Sequence, residues 1–131
     1  MTNRDVALRT IEAANRFDFE ALAELGTDDV EFDMSRSIGP ASGVYRGIDE
    51  TRAFFEQYVE VFESVIATPL EFYERGDWMA IDLEVRVRGR GSGVETTARG
   101  ARAYGFRDGK IARYIQFQDM ASAREYVDAQ P

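Results

Sequence analysis

Three side chains carry most of the chemistry this chain could perform: Asp119, Asp33 and Arg102. The 131 residues include no His and no Cys. That composition excludes the commonest general base, a Ser-His-Asp triad, a thiol nucleophile and a zinc site of imidazole or thiolate ligands. Proton transfer is left to a carboxylate, whose pKa rises when it is buried among apolar groups. Developing negative charge is left to a guanidinium or a tyrosine hydroxyl. The remaining metal chemistry is an all-oxygen site for a hard cation. Asp18 and Asp28-Asp29 are too scattered to build one. Neither a metal nor a cofactor is expected.

Each candidate has a plainer alternative. Asp119 precedes Met120-Ala121-Ser122-Ala123 and reads either as a helix cap or as a pocket carboxylate. Arg102, if inward, needs a partner: Asp119, Asp33 or an anionic group on a ligand. Otherwise its stem packs inward and its head reaches solvent at the rim. Tyr58, Tyr104 and Tyr114 either donate hydroxyls to a ligand oxygen or fill the core. Phe32, Met34, Phe54, Phe62, Trp78 and Phe117, with Leu83 and Ile115, line an apolar cavity or pack the interior.

The elements that must position these residues follow from periodicity. Apolar spacing predicts a helix over residues 4–17, with cap-type residues and an acidic first turn before it. Asp18 caps a short helix over 19–25, and Gly26 fits the left-handed position that closes it. Residues 30–34 alternate as a short strand, and 35–47 read as a loop that could form a lid or rim. Thr51, Phe55, Tyr58 and Phe62 form the stripe of a helix predicted over 48–65. Four strand-like runs follow, over 66–75, 78–88, 94–107 and 110–118. The Asp108-Gly109 pair is a strong hairpin signal. A short helix over 121–129 ends the chain. Strands of this length, about 33 Å for ten residues, must bend.

Alternation assigns faces. Ile81, Leu83, Val85 and Val87 share one side of their strand; Asp82, Glu84, Arg86 and Arg88 share the other. The apolar side should meet the helices. In the next strand Gly100, Arg102, Tyr104 and Phe106 form one set, and the aromatic pair suggests that Arg102 faces inward. In the last strand Ile111, Arg113, Ile115, Phe117 and Asp119 share a parity.

Composition bounds the rest. Net charge is −8, from 24 acidic and 16 basic residues, which disfavours nucleic acid and anionic membranes as partners. Arg86, Arg88, Arg90 and Arg99 lie beside Asp82 and Glu84, a pattern for cross-strand pairing and for a homodimer through the outer sheet face. Gly89 to Gly93 lacks the following helix and Lys-Ser/Thr of a phosphate loop. No apolar run reaches membrane-span length, and Met1–Asp5 leads into a polar helix rather than a signal peptide, so a soluble cytoplasmic protein is expected. Residues 1–131 read as one domain.

The whole pattern resembles the SnoaL-like branch of the nuclear-transport-factor-2-like superfamily. The matching residues are Asp28-Asp29-Val30, Gly43-Val44-Tyr45-Arg46-Gly47 before the long helix, Arg86–Glu95, Arg107-Asp108-Gly109-Lys110 and Phe117-Gln118-Asp119. The resemblance implies an α+β fold: a cone-shaped α+β barrel, with a curved, mainly antiparallel sheet wrapped around three N-terminal helices. It also implies a pocket for a small, largely apolar molecule bearing a carbonyl or carboxylate. The scaffold hosts isomerases, cyclases, hydrolases and non-catalytic proteins. The tyrosine of ketosteroid isomerases falls here at Thr10, their base at Met34 or Asp33, and their protonated oxyanion-hole acid at Arg102. The last catalytic aspartate of limonene-type epoxide hydrolases falls near Asp119, while their strand Arg and Asp fall near the apolar Leu83 and Val85. Two readings stay open: a cofactor-free isomerase, cyclase or hydrolase using Asp119 or Asp33 with Arg102, and a non-catalytic ligand-binding or accessory protein.

Overall fold

The computed structural model describes residues 1–37 and 42–131. The chain enters helix α1 (Asn3–Asn15) through a capping box in which Thr2 and Asp5 bond each other's backbone N–H. Phe17 closes it in the left-handed region at φ 56°. Asp18 then caps α2 (Phe19–Leu25) by accepting from the Ala21 N–H. Gly26 does not take the left-handed position expected of it. Its backbone is extended, and it opens strand β1 (Gly26–Asp33), which starts earlier than the alternation suggested.

The segment read as loop contains a short strand, β2 (Val44–Arg46), and residues 38–41 at its centre lie outside the described residues. Helix α3 (Gly47–Val61) begins at Gly47, φ +80°, and stops four residues sooner than the apolar stripe predicts. Strand β3 (Phe62–Arg75) claims the remainder. Val65, Ile66 and Thr68 are β-branched, and their pairing with Val87, Arg86 and Glu84 of the neighbouring strand carries the run, Ala67 included, into the sheet. β4 (Trp78–Gly89), β5 (Glu95–Arg107), β6 (Lys110–Phe117) and α4 (Met120–Asp128) complete the fold.

The strands form one curved sheet in the order β2-β1-β6-β5-β4-β3, antiparallel throughout except for the parallel pair β1 and β6. The sheet does not close into a barrel; β2 and β3 are its edges. Helices α1 to α3 lie on the inner face over Met79, Ile81, Leu83, Tyr104, Phe106 and Tyr114. Helix α4 covers the outer face over Ala80, Ala101, Ala103, Ile115 and Phe117. The charged outer rows of β4 and β5 are therefore partly roofed, and Asp82 is buried there against Arg99.

Two bulges decide which side chains reach the inner face. In β3 the register steps from Pro69↔Leu83 to Glu71↔Asp82, so Leu70 is an extra residue and Phe72, not Tyr73, turns inward. In β6 the register steps from Phe106↔Ile111 to Gly105↔Arg113, leaving Ala112 as the extra residue. Beyond it, Tyr114 and Gln116 share the inner face with Ile111, while Arg113, Ile115 and Phe117 point outward. The last-strand parity expected from the sequence is overturned by that single residue.

Candidate functional site

The inner face encloses a cavity of about 280 Å³, the low end of the range for small-molecule pockets. Its floor is drawn from β1, β3, β4, β5 and β6, and its walls are α1, α2 and α3. Most of the lining is apolar or aromatic. Phe32 stacks on Tyr114 with ring centroids 4.0 Å apart, and Phe54 meets Phe32, Phe55 and Tyr58 at 5.2, 5.5 and 5.6 Å. Phe54, Phe55 and Tyr58 come from i, i+1 and i+4 positions on α3 and Phe32 from β1, while Tyr114 is turned into the same volume by the Ala112 bulge of β6.

Most polar groups of the helical wall are already engaged. Thr10 and Thr51 donate their hydroxyls to the carbonyls of Val6 (2.8 Å) and Gly47 (2.7 Å), one turn back. Asn15 bonds both backbone groups of Ala67, at 3.0 and 2.9 Å, which ties α1 to β3. The remaining polar side chains of the described lining are Arg102, Gln116, Tyr58, Tyr114, Ser37 and Thr27, whose buried hydroxyl makes no well-formed hydrogen bond.

Arg102 is 9% exposed and lines the cavity. Its Nε donates a long bond, 3.4 Å, to Gln116 Oε1, and its guanidinium carbon sits 5.2 Å from the centre of the Tyr114 ring. Among the described residues, no carboxylate pairs with it. Burial pushes its pKa down, but the oxygens of Tyr114, Tyr104 and Tyr58 push it up, and the net direction is up. An arginine guanidinium keeps its proton in proteins, so this one stays charged. Burial raises the Tyr58 and Tyr114 hydroxyls above the ordinary tyrosine value, against the opposing pull of Arg102, so both stay neutral donors. The Tyr104 hydroxyl, near the guanidinium, is buried and makes no well-formed hydrogen bond.

The expected residues divide. Phe32, Met34, Phe54, Tyr58 and Arg102 converge on the cavity. Leu83 and Tyr104 are fully buried in the adjoining inner core, and Phe62 starts β3 against Tyr58. Ile115 and Phe117 lie on the other side of the sheet under α4, because of the Ala112 bulge. Trp78 is also outside, its ring against Gly105 and beside Tyr126.

The two carboxylates do not line the cavity. Asp119 is exposed and caps α4, accepting from the Ser122 N–H at 2.7 Å; the Ser122 backbone and hydroxyl hold its carboxyl below the usual carboxylate range. Asp33 lies between the lining residues Phe32 and Met34 and points the other way. Burial raises its pKa, but the Ser35 hydroxyl and N–H and then Arg36 outweigh this, leaving it lowered. Gln116 was not anticipated as a site residue. Its signal was Gly105, a mid-strand glycine of the kind that marks a bulge.

The arrangement is thus one of helices on the concave face of an unclosed sheet, with the Arg102 guanidinium in a largely aromatic chamber. The chain belongs to the SnoaL-like domain family, whose profile matches residues 7–114. No curated protein matches it in sequence. Among solved structures it is similar to TerC crystallised with polyporic acid, at TM-score 0.80 and 22% identity over 97% of this chain and 98% of that one. It is equally similar to an NTF2-like protein of unknown function from Burkholderia pseudomallei, at TM-score 0.80 and 22% identity over 98% and 100% of the two chains. A candidate SnoaL-like polyketide cyclase from Jannaschia aligns at TM-score 0.76 and 16% identity over 98% and 93%. At these identities the likeness concerns the fold.

Proposed function

We propose that this protein binds one small, largely apolar molecule in the inner cavity, with a carbonyl or carboxylate of that molecule seated against Arg102. One observation carries the reading: a guanidinium buried in an aromatic chamber with no carboxylate partner among the described residues. Burying an unpaired charge costs several kcal/mol, and a charge-assisted bond to a ligand offsets that cost. The SnoaL-like kinship, and TerC's crystallisation with polyporic acid, agree with a ligand of this kind.

Binding, rather than acid-base catalysis, is the conclusion because the described wall of the cavity holds no carboxylate to move a proton. An isomerase or cyclase is the second reading, favoured by the likeness to candidate polyketide cyclases. It would use Arg102 and the two neutral tyrosines against developing negative charge and would need its base from the substrate or from bulk water. The homodimer expected from the charged outer rows belongs to this proposal too. Those charges already pair within the chain, Arg86 and Arg88 with Glu95 and Arg99 with Asp82, so light scattering is the deciding measurement.

The ligand proposal is tested by isothermal titration with 2-naphthoate, a bicyclic acid. One molecule should bind per chain, and Arg102→Met should weaken binding about tenfold or more, the loss of a charged hydrogen bond. Equal affinity in the two proteins, or no binding to either, would end the proposal.

A further inference from the structure

We infer that the cavity selects a ligand with two coplanar oxygens, a monocarboxylate on an aromatic or alicyclic body, because Gln116 and Tyr114 hold Arg102 with both terminal nitrogens left as a fork. The inference rests on the reading that ligands bind through Arg102.

The neighbours of the guanidinium fix its orientation. Gln116 Nε2 donates to the Phe117 carbonyl at 3.2 Å, which commits the other end of the amide, Oε1, to face Arg102. Gly100 leaves room for this: a Cβ there would stand 3.3 Å from Gln116 Nε2. Gln116 Oε1 takes the Nε–H, and the Tyr114 ring takes one face of the guanidinium. What remains is the far edge, where Nη1 and Nη2 make no ion pair and no well-formed hydrogen bond with any described residue and have the buried Tyr104 hydroxyl beside them. Those in-plane N–H groups match the two oxygens of a carboxylate in a bidentate pair; a ketone or ester offers one strong acceptor in that plane.

The neutrality of Gln116 is the second half of the argument. Other arginines of this chain meet carboxylates: Arg99 meets Asp82, Arg107 meets Asp29, and Arg113 meets Glu31. At Arg102 the protein uses an amide, which orients the guanidinium without cancelling its charge. Gln116 is thus a positioning residue acting through Arg102. Most of the rest of the ligand meets rings and aliphatic groups, since Thr10, Thr51 and Asn15 are bonded to backbone; the lining Thr27 hydroxyl, buried without a well-formed hydrogen bond, and Ser37 are the polar exceptions. The preferred molecule therefore has one anionic head and a largely apolar body.

The experiment is calorimetric titration with 2-naphthoate and with 2-acetylnaphthalene, which keeps the body and a single carbonyl. The wild type should prefer the acid by about tenfold or more. Arg102→Lys keeps the charge but not the fork; it should lose about tenfold on the acid and little on the ketone. Gln116→Glu should abolish the preference while leaving the ketone's affinity in place, a split that general structural damage does not produce. The inference is overturned if Arg102→Lys binds the acid like wild type, if Gln116→Glu keeps the preference, or if the wild type binds both probes equally. Should a variant fail to fold by circular dichroism, the wild-type ratio still decides. Failure of the underlying reading is distinct: neither probe binds wild type, or Arg102→Met binds the acid unchanged.

Discussion

Arg102→Met should make the ligand-free protein more stable, not less. The residue is 9% exposed and has no carboxylate partner among the described residues. Replacing a buried charge by an apolar side chain of similar volume stabilises by about 1–4 kcal/mol where the pairing is incomplete. Two contacts are lost in exchange. The guanidinium 5.2 Å over Tyr114 contributes about 0.5–2 kcal/mol, and the long bond to Gln116, at 3.4 Å, contributes less than a well-formed one of about 1 kcal/mol. The balance is a gain of about 1 kcal/mol, or about 3–5 °C in Tm for a chain of this length. Urea unfolding followed by far-UV circular dichroism measures it. Adding 2-naphthoate at a hundred times its Kd should reverse the order, since the wild type then gains about 2.7 kcal/mol by mass action. A ligand-free variant less stable than wild type by about 1 kcal/mol or more would refute the reasoning, because it would mean that the guanidinium is already satisfied where it stands.

Three further outcomes follow from the same structure. Asp119→Ala removes the α4 cap and should lower Tm measurably while leaving 2-naphthoate affinity unchanged; a loss of affinity at unchanged Tm would return this residue to the site. Gly105→Ala would place a Cβ 2.9 Å from the Trp78 ring and 3.3 Å from Arg113 Cβ, and should cost about 1–3 kcal/mol in urea unfolding; a neutral result would mean the indole swings away freely. Acid should destabilise the protein. Asp5, Asp33 and Asp119 have folded-state pKa values below the ordinary 3.8, held down by Thr2, by Ser35 and Arg36 against burial, and by Ser122. Lowered values mean stability that is fully present above 3.8 and lost as pH falls through them, so the urea midpoint should be level from about pH 7 to 5 and fall below about pH 4. A midpoint that rises on acidification contradicts this.

Local chemistry made part of the molecule legible in the sequence. Alternation in β4 and β5 put Ile81, Leu83, Arg102 and Tyr104 on the helix side, and the structure keeps them there. The Asp108-Gly109 turn, with φ of 54° and 78°, set the last hairpin. The α3–β3 boundary was not legible, because Ser64-Val65-Ile66 suits either state and the pairing of Val65 with Val87 across the sheet decides it. The carboxylates were ambiguous for another reason: a cap and a pocket acid look alike until the helix axis is known, and Asp119 spends its oxygen on Ser122.

Ala112 carries a lesson for comparing relatives. One inserted methyl-bearing residue swaps which half of β6 looks at the chamber and which half looks at α4. A relative that gains or loses a single amino acid between its last turn and its last helix would trade Tyr114 and Gln116 for their neighbours without changing its architecture. Column-by-column transfer of reactive groups across such an indel matches interior positions to exterior ones. On this scaffold, chemistry can be exchanged by a one-codon slip while the shape stays constant, which gives a physical reason for one outline to house so many unrelated activities.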